Sequence, residues 1–469
     1  MAHTRREFLK RSTCALGTAA LLSGFKRFGL ASAYAQSEAT ATDYKALVCV
    51  FLLGGNDGNN TVIPLDSTGY SNYTSARQTL AFSQAQLAPT TLSRIPPSIG
   101  TPFALHPSLV NLTSLFNNKK AAVLCNTGTL VQATTLQQYK NNSVPVPFSL
   151  FSHIDQQSQW QTSRSDSVST TGWGGRTADD TGGLNPPGTV FPMIASMSGA
   201  NLFSAGAHTS PVVVTPGKPL QLNGTGSANN PSARYTALQN LLSVDRDTSL
   251  VNNGSGVMQQ AIADGNLLTA ALAGAPKLTT VFPNTDLGGQ LLQIAQIMSV
   301  RATLGLQRQI FFCALGGFDT HSDQLNTQAA LLTEVDQALM AFYNSTVELG
   351  ISTQVTTFSL SDFSRTLQPS SNVGTDHAWG NHHFIIGDSV KGGDFYGAPL
   401  LLGQGSPFPV LVLGGPNDVG GRGRWLPTSS VDQYGATLAA WYGVQAGDIP
   451  TVFPNIRGFN GITDLGFMN

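Results

Sequence analysis

Three short apolar runs in this sequence end in turns that immediately present an acidic side chain. The acids are Asp57, Asp319 and Asp362, which follow residues 46–53, 309–315 and 354–360. In open parallel sheets, ligands bind beyond the carboxyl ends of the strands. If the three runs are neighbouring strands, we expect their acids to converge on one crevice. Taken singly, each acid is more often a cap or turn residue.

Histidines add nitrogen ligands to the same part of the chain. Asp319 and His321 form an Asp-x-His pair, and Asp376 and His377 are adjacent, with a His-His pair shortly after them. Mixed carboxylate and imidazole ligands are typical of Zn²⁺ and Mn²⁺ sites. Adjacent residues of an extended segment point to opposite sides, so only one of the last pair is expected to face the site. The predicted metal ligands are Asp57, Asp319, His321, Asp362, Asp376, His377 and His383.

A third group of candidates lies around residue 152. Ser152 and His153 directly precede a predicted helix. A hydroxyl at a helix N-terminus is suited to nucleophilic attack, because the terminal N–H groups hold an anionic substrate; the alternative is an ordinary N-cap. We therefore predict Ser152 and His153 as catalytic residues. Arg176 and Arg365 are candidates for binding the anion, although structural ion pairing is the alternative for each.

The elements that must position these residues alternate along the chain. Continuous apolar runs at residues 46–53, 121–125, 309–315, 354–360 and 409–413 predict strands buried on both faces. Helical spacing recurs at residues 287–298 and 331–342, and Gly350 has the place of a C′ glycine. This alternation predicts an α/β fold with a central, mostly parallel sheet covered by helices. Residues 180–280, rich in Gly, Pro and Asn, are predicted to form a cap insertion.

The first 35 residues read as a twin-arginine export signal. Arg5 and Arg6 lie in a Thr-Arg-Arg-Glu-Phe-Leu-Lys segment, a modest apolar stretch follows, and Ala33-Tyr34-Ala35 is a small-x-small cleavage site. The apolar stretch is too short to span a bilayer, which needs roughly 20 apolar residues. We predict a signal peptide over residues 1–35, a single domain over residues 36–469 and no integral membrane segment after cleavage. The expected location is the periplasm or the exterior, with the twin-arginine translocase as a partner during export.

Charge and cysteine content indicate which partners and which cysteine roles to expect. Charged residues make up 11% of the chain, and its net charge of −1 becomes −6 once the +5 of the first 35 residues is removed. No basic stripe follows the signal, so we expect no nucleic-acid partner. Cys49, Cys125 and Cys313 each lie inside an apolar run and are predicted to be buried core thiols.

Taken together, the motifs resemble the exported domain-of-unknown-function family fifteen-oh-one. In order, they are residues 105–109, 152–153, 316–321, 361–365, 374–377, 391–393, 423–428 and 452–455. The resemblance extends over nearly all of the mature chain. It implies membership of the alkaline phosphatase and sulfatase superfamily, with an alkaline-phosphatase-like sheet sandwiched by helices. Enzymes of that superfamily cleave phosphate or sulfate esters with a Ser, Thr or formylglycine nucleophile beside bound metal.

The resemblance carries over unevenly to individual residues. Asp57 matches the acid after the first strand, Ser152 occupies the region of the nucleophile, and Asp319 and His321 match an acid–imidazole pair. Asp362 matches the acid of the Asp-His-Gly motif, but Phe363 replaces its histidine. His377 or His383 matches the last metal histidine. One ligand of the usual two-metal site is therefore missing or supplied differently, which implies a single metal or a diverged chemistry.

The sequence thus predicts an exported metal-dependent hydrolase of a phosphate or sulfate ester. The substrate is expected to be a small anion or an anionic polymer, and the metal Zn²⁺, Mn²⁺ or Ca²⁺. The alternative is a non-catalytic exported binding or assembly protein on a degenerate alkaline-phosphatase-like fold, which Phe363 favours. Turnover of generic phosphate and sulfate esters distinguishes the two.

Overall fold

Strand β1 (Lys45–Leu52) lies inside the protein with side chains buried on both of its faces. Ala46, Val48, Val50 and Leu52 pack into one apolar cluster. Leu47, Cys49 and Phe51 pack into a second cluster on the opposite face. Because successive side chains of a strand point to opposite faces, a strand covered on both sides must be apolar at nearly every position. This explains the uninterrupted apolar run.

The computed structural model describes residues 44–218, 231–244, 249–398 and 406–469. The predicted signal peptide, residues 1–35, lies outside them. Across the described residues, we find no helix that combines the length and the apolar character needed to cross a lipid bilayer.

The central sheet is mixed but mostly parallel. Its strands run in the order β10, β4, β9, β8, β1, β7, β5, β6, and β11 pairs with β4. Only β9, among the strands of this sheet in the described residues, is antiparallel to its neighbours. A separate antiparallel pair joins β2 to β3. After β1, the strands are β2 (Val62–Pro64), β3 (Phe103–Leu105), β4 (Ala121–Gly128), β5 (Ile194–Ser196), β6 (Val212–Val213), β7 (Arg308–Leu315), β8 (Val355–Ser361), β9 (Asn381–Ile386), β10 (Phe395–Tyr396) and β11 (Ser429–Ser430).

Helices cover both faces of this sheet, as predicted. The first cluster contains side chains of α4, α10 and α11, and the second contains side chains of α6, α7 and α12. The α-helices of the described residues are α1 (Gly58–Thr61), α2 (Ser67–Arg77), α3 (Gln84–Leu87), α4 (Val110–Asn117), α5 (Leu136–Lys140), α6 (His153–Thr162), α7 (Trp173–Thr181), α8 (Pro231–Ser243), α9 (Ser249–Ala273), α10 (Asp286–Ser299), α11 (Gln324–Glu348), α12 (Val431–Tyr442) and α13 (Ile449–Val452).

Most of the predicted elements are confirmed. Four of the five apolar runs form β1, β4, β7 and β8, and the two helical patterns form α10 and α11. Gly350 follows α11 with a φ of +66°, the left-handed conformation expected of a C′ glycine. The three cysteines are buried free thiols.

The strand predicted over residues 409–413 is wrong. This segment has no strand structure, and the side chains of Val410 and Val412 are exposed. The Val412 N–H donates to the Val410 carbonyl within a tight turn, and Pro409 has no N–H to give to a sheet. An apolar run of five residues is therefore compatible with a surface turn.

The region predicted as a cap insertion contributes to the edge of the sheet. Strands β5 and β6 lie within residues 180–280 and extend the sheet beyond β7. The same region also contains α8 and α9. Its assignment as a separate cap stays a prediction.

Candidate metal centre

The three strand ends that carry acids are neighbours in the sheet. β1 lies between β7 and β8, parallel to both, with Leu52 opposite Leu315 on one side and Ser361 on the other. The turns that follow these strands therefore meet at one edge. Gly54 has a φ of +111°, and a Cβ on it would lie 2.5 Å from the backbone nitrogen of Asp319. Only glycine at residue 54 allows the turn after β1 and the turn after β7 to approach this closely.

Three imidazole rings and one carboxylate converge at this edge. The Nε2 atom of His377 lies 3.1 Å from Nε2 of His153 and 3.1 Å from Nε2 of His321. Oδ1 of Asp319 lies 3.0 Å, 3.4 Å and 3.5 Å from Nε2 of His321, His153 and His377, respectively. The ligand atoms of His153, Asp319 and His377 all lie within 4.8 Å of one another, a spacing that one metal ion can bridge.

Outer hydrogen bonds determine which nitrogen carries the hydrogen in His153 and in His377. Nδ1 of His377 lies 2.8 Å from the carbonyl oxygen of Phe151, and Nδ1 of His153 lies 2.7 Å from Oδ2 of Asp362. Both partners accept hydrogen bonds, so both Nδ1 atoms carry hydrogen and a neutral ring has its lone pair on Nε2. Two such lone pairs beside a carboxylate oxygen repel one another unless a proton or a cation lies between them. The donor set therefore fits a divalent metal.

The environment shifts the pKa values of these groups in different directions. The hydrogen bond that Nδ1 of His153 donates to Asp362 raises the pKa of His153, whereas burial lowers the pKa of His377. Burial opposes ionisation of Asp319, but the hydrogen bond and charge of Arg365 outweigh it and lower the pKa of that carboxyl. Of these two rings, His153 is therefore the more basic.

Asp362 orients the cluster from behind. Its Oδ2 also accepts from Nε2 of Gln157 at 2.7 Å, and its Oδ1 accepts from the Gly54 N–H at 3.1 Å. Predicted as a direct ligand, this buried carboxylate instead contacts His153 on the side away from the shared Nε2 atoms. Such an outer carboxylate fixes the ring and increases its basicity as a ligand.

The two arginines predicted to bind an anion are engaged within the protein. Arg365 is fully buried and donates to Asp319 and to the carbonyls of Gly54, Gly55 and Thr375. All three nitrogens of the Arg176 guanidinium donate to backbone carbonyls, those of Val452, Thr171 and Thr162. Arg365 thus holds Asp319 in place, and Arg176 joins the C-terminal ends of α6 and α13 to the segment before α7.

Phe363 forms an apolar wall behind two of the histidines. Its ring centre lies 4.7 Å from that of His153 and 4.8 Å from that of His377. Phe363 is fully buried. The position at which the resemblance leads us to expect a further metal histidine therefore holds a ring that packs against the ligands.

The other predicted residues lie at different distances from the cluster. Asp376 lies 3.8 Å from Nδ1 of His321 and pairs with Arg422 at the edge of the site. Asp57, a predicted ligand, is instead buried at the start of α1, where its carboxylate pairs with Arg77 and accepts a hydrogen bond from Gln324.

His383, also a predicted ligand, packs between the rings of Trp160 and Tyr434. Burial lowers its pKa to about 3, so it is neutral there. The preceding His382 stacks on Phe408, on the opposite face of β9. His382 also accepts a hydrogen bond at Nδ1 from the Asn126 N–H at 3.2 Å, so both histidines are engaged in structural contacts.

Ser152 occupies the N-cap position of α6 but makes no capping hydrogen bond through its side chain. The hydrogen bond that an ordinary N-cap hydroxyl would accept is therefore not formed. Ser152 is half-buried and directly precedes His153. Its role as a nucleophile stays a prediction.

Phe151 and Arg424 escaped the sequence-based prediction. Phe151 has a φ of +72°, which is rare for a bulky residue and often marks a functional site. Arg424 donates from Nε to the carbonyl of His377 at 2.9 Å. Their only sequence signals were that Phe151 directly precedes the motif at residues 152–153 and that Arg424 lies within the motif at residues 423–428.

The chain belongs to the family described as "Protein of unknown function (DUF1501)", whose model matches residues 44–406. This confirms the family predicted from the motifs. No curated protein matches the chain.

Several solved structures resemble the fold at low sequence identity. Ps i-CgsB, solved in complex with k-i-k-neocarrahexaose, has a TM-score of 0.35 and 8% identity and covers 88% of this chain and 77% of its own. The PsFucS1 sulfatase from Pseudoalteromonas sp. has a TM-score of 0.33 and 10% identity, with coverages of 84% and 69%. A Bacteroides thetaiotaomicron protein, described with the metabolism of multiple glycosaminoglycans, has a TM-score of 0.33 and 10% identity, with coverages of 87% and 74%. Likenesses at these values identify neither a substrate nor a catalytic residue of this chain.

Proposed function

We propose that this member of the DUF1501 family is an exported hydrolase of a phosphate or sulfate ester that depends on one divalent metal ion. The observation that carries the proposal is the convergence of the Nε2 atoms of His153 and His377 on the carboxylate of Asp319. Their outer hydrogen bonds direct both lone pairs to the same point.

The residues that would hold the ion are His153, Asp319 and His377, with His321 as a fourth donor. A donor set rich in imidazole nitrogen suits Zn²⁺, whereas Mn²⁺ and Ca²⁺ favour oxygen ligands. Asp319 and His321 are 46% and 48% exposed, so the open side of the site is reachable by a substrate. When bound, a divalent ion supplies Lewis-acid stabilisation of negative charge on an ester oxygen.

The surrounding residues hold this arrangement before a substrate arrives. Asp362 keeps a hydrogen on Nδ1 of His153, and Arg365 keeps Asp319 ionised and turned towards the histidines. Phe363 excludes water from the back of the two rings. Ser152, whose hydroxyl makes no capping bond, is the candidate nucleophile at the start of α6.

Metal analysis and turnover test the proposal together. Purified protein should contain nearly one equivalent of divalent metal, and His377→Ala should lose most of it. His208→Ala, which removes an exposed histidine of the same chain, should leave metal content unchanged. The wild type should hydrolyse an aryl phosphate or an aryl sulfate, and Ser152→Ala should abolish turnover without loss of metal.

The outcomes separate three cases. Protein that is free of metal and gains no thermal stability with Zn²⁺ or Mn²⁺ would exclude the metal site. A bound ion in hundredfold excess over its dissociation constant should stabilise the fold by about 2.7 kcal/mol. Metal binding without turnover of any ester would favour the non-catalytic binding protein instead.

Export through the twin-arginine route is the second part of the proposal. It rests on Arg5, Arg6 and the Ala33-Tyr34-Ala35 site in the sequence. Replacing both arginines by lysine should leave uncleaved protein in the cytoplasm, measured by fractionation and mass spectrometry. Normal periplasmic delivery of the double variant would refute it.

A further inference from the structure

Arg424 lies beside the metal cluster and, unlike Arg365 and Arg176, leaves most of its guanidinium open. Its Nε donates to the carbonyl of His377 at 2.9 Å. Its guanidinium carbon lies 4.7 Å from the centre of the Phe151 ring, a cation–π distance. The guanidinium is therefore held on two sides, by the backbone of His377 and by the ring of Phe151.

The backbone that carries Arg424 is held by one buried carboxylate. Asp418 accepts hydrogen bonds from the backbone N–H groups of Gly420, Gly423 and Arg424, at 3.0, 2.8 and 3.1 Å. The next residue, Trp425, is buried. Because the turn is already ordered, a ligand that binds Arg424 has little backbone entropy to remove.

The terminal nitrogens of Arg424 are available to a ligand. Within the described part of the chain, Nε makes the one hydrogen bond of this guanidinium, to the carbonyl of His377, whereas Nη1 and Nη2 make none. Gly420 leaves room beside them, since a Cβ there would lie 3.3 Å from Cδ and 3.7 Å from Nη1 of Arg424. Arg365 and Arg176, by contrast, donate from all three of their nitrogens.

Phe151 aligns this arginine with the metal ligands. Its carbonyl accepts from Nδ1 of His377 at 2.8 Å, while its ring supports Arg424. The φ of +72° at Phe151 is unfavourable for a bulky side chain, and such strain often marks a functional site. One residue thus orients both a ligand imidazole and the open guanidinium.

We infer that Arg424 binds the tetrahedral oxyanion, phosphate or sulfate, of a substrate held at the metal cluster. The inference rests on the proposed function, because it places the anion beside that metal. An arginine presents a planar fork of N–H donors that matches two oxygens of such an anion, and its charge persists at any physiological pH. Arg424 therefore takes the role that the sequence suggested for Arg176 and Arg365.

Titration calorimetry on the metal-loaded mature chain tests this directly. Inorganic phosphate and inorganic sulfate are titrated separately into the wild type, Arg424→Met, Arg424→Lys and Arg457→Met. The methionine keeps the apolar stem and removes the fork. Loss of hydrogen bonds to a charged group should weaken binding of the preferred anion roughly 10- to 100-fold.

The controls separate binding from folding and from metal loss. Arg424→Lys keeps the charge without the fork and should show an intermediate loss, which gives a second reading where the methionine variant is unstable. Arg457 is exposed, so Arg457→Met removes one positive charge at the surface and should bind like the wild type. Metal content should stay at the wild-type level in all variants.

The results distinguish this inference from the hydrolase proposal. Equal anion affinity in the wild type and Arg424→Met, or no affinity of the wild type for either anion, would overturn the role of Arg424. Anion binding that depends on Arg424 in a protein without turnover would support the inference and refute the hydrolase. Where turnover exists, Arg424→Met should raise KM for the ester, and an unchanged KM also argues against the inference.

Discussion

Replacing Asp362 by asparagine changes the proton position on His153 with almost no change in volume. Oδ2 of Asp362 lies 2.7 Å from both Nδ1 of His153 and Nε2 of Gln157, and Oδ1 accepts from the Gly54 N–H. Every contact of this carboxylate thus brings a hydrogen towards it. Asparagine has one acceptor oxygen and one donor nitrogen. Its NH₂ group must therefore replace either Oδ2, which faces His153 and Gln157, or Oδ1, which faces the Gly54 N–H.

Either orientation of the new amide has a measurable cost. If its nitrogen faces His153, the ring must move its hydrogen to Nε2, which removes the lone pair that would bind metal. If its nitrogen faces Gly54, a backbone N–H loses its acceptor, and the oxygen left for His153 carries no charge. Outer carboxylate partners of metal-binding histidines contribute about 10- to 100-fold in affinity, so we expect Asp362→Asn to weaken Zn²⁺ binding by that factor.

Competition with a chromogenic chelator measures this affinity, and circular dichroism checks that the fold is intact. Tenfold weaker binding also removes about 1.4 kcal/mol of metal-induced stabilisation at a fixed excess of metal. Asp155→Asn is the matched control, since it removes the same charge two residues from His153. Wild-type affinity in Asp362→Asn would refute the orientation argument, and an equal loss in Asp155→Asn would assign the effect to general electrostatics.

Three further predictions concern stability. Burial raises the pKa of Asp432 to about 7, against about 3.9 in an unfolded chain, so the native state keeps a proton that the unfolded state loses. Stability should therefore fall by about 4 kcal/mol between pH 4 and 7 from this group, and Asp432→Asn should flatten that slope in urea unfolding. Gly54→Ala should lower the free energy of unfolding by more than the roughly 1–2 kcal/mol that a positive φ costs, because its Cβ would also clash with the backbone of Asp319. Gly461→Ala is the control, since this residue has a φ of +77° with open space around it and the variant measures the backbone strain alone. Equal losses of stability in the two variants would contradict the clash. Phe363→Ala should cost about 3–5 kcal/mol in chemical unfolding; a loss under 1 kcal/mol would show that the wall is not packed.

Several features of the fold were predictable from composition along the chain. Strands β1, β7 and β8 are apolar without interruption because both of their faces are covered, and such runs are visible in a single sequence. Strand β9 was missed because Asn381 and two histidines interrupt its apolar pattern, and their burial depends on aromatic partners elsewhere. The two-residue strands are too short to leave a pattern.

The candidate site was predictable in part for the same reason. Acids and histidines after parallel strands were expected to meet, and Asp319, His321 and His377 do contact one another. Asp57 follows a neighbouring strand just as Asp319 does. Its direction differs because Arg77, from another helix, draws its carboxylate into the interior.

The sequence by itself therefore determined which strands form the centre of the sheet and which residue types collect at their ends. The tertiary structure decided which of those side chains face one another and which make structural contacts instead. It also decided which nitrogen carries the hydrogen in the imidazole rings of His153 and His377. The physical reason is distance along the chain. The contacts that orient His153 and His377 join residues 209, 224 and 226 positions apart, so no local pattern encodes them.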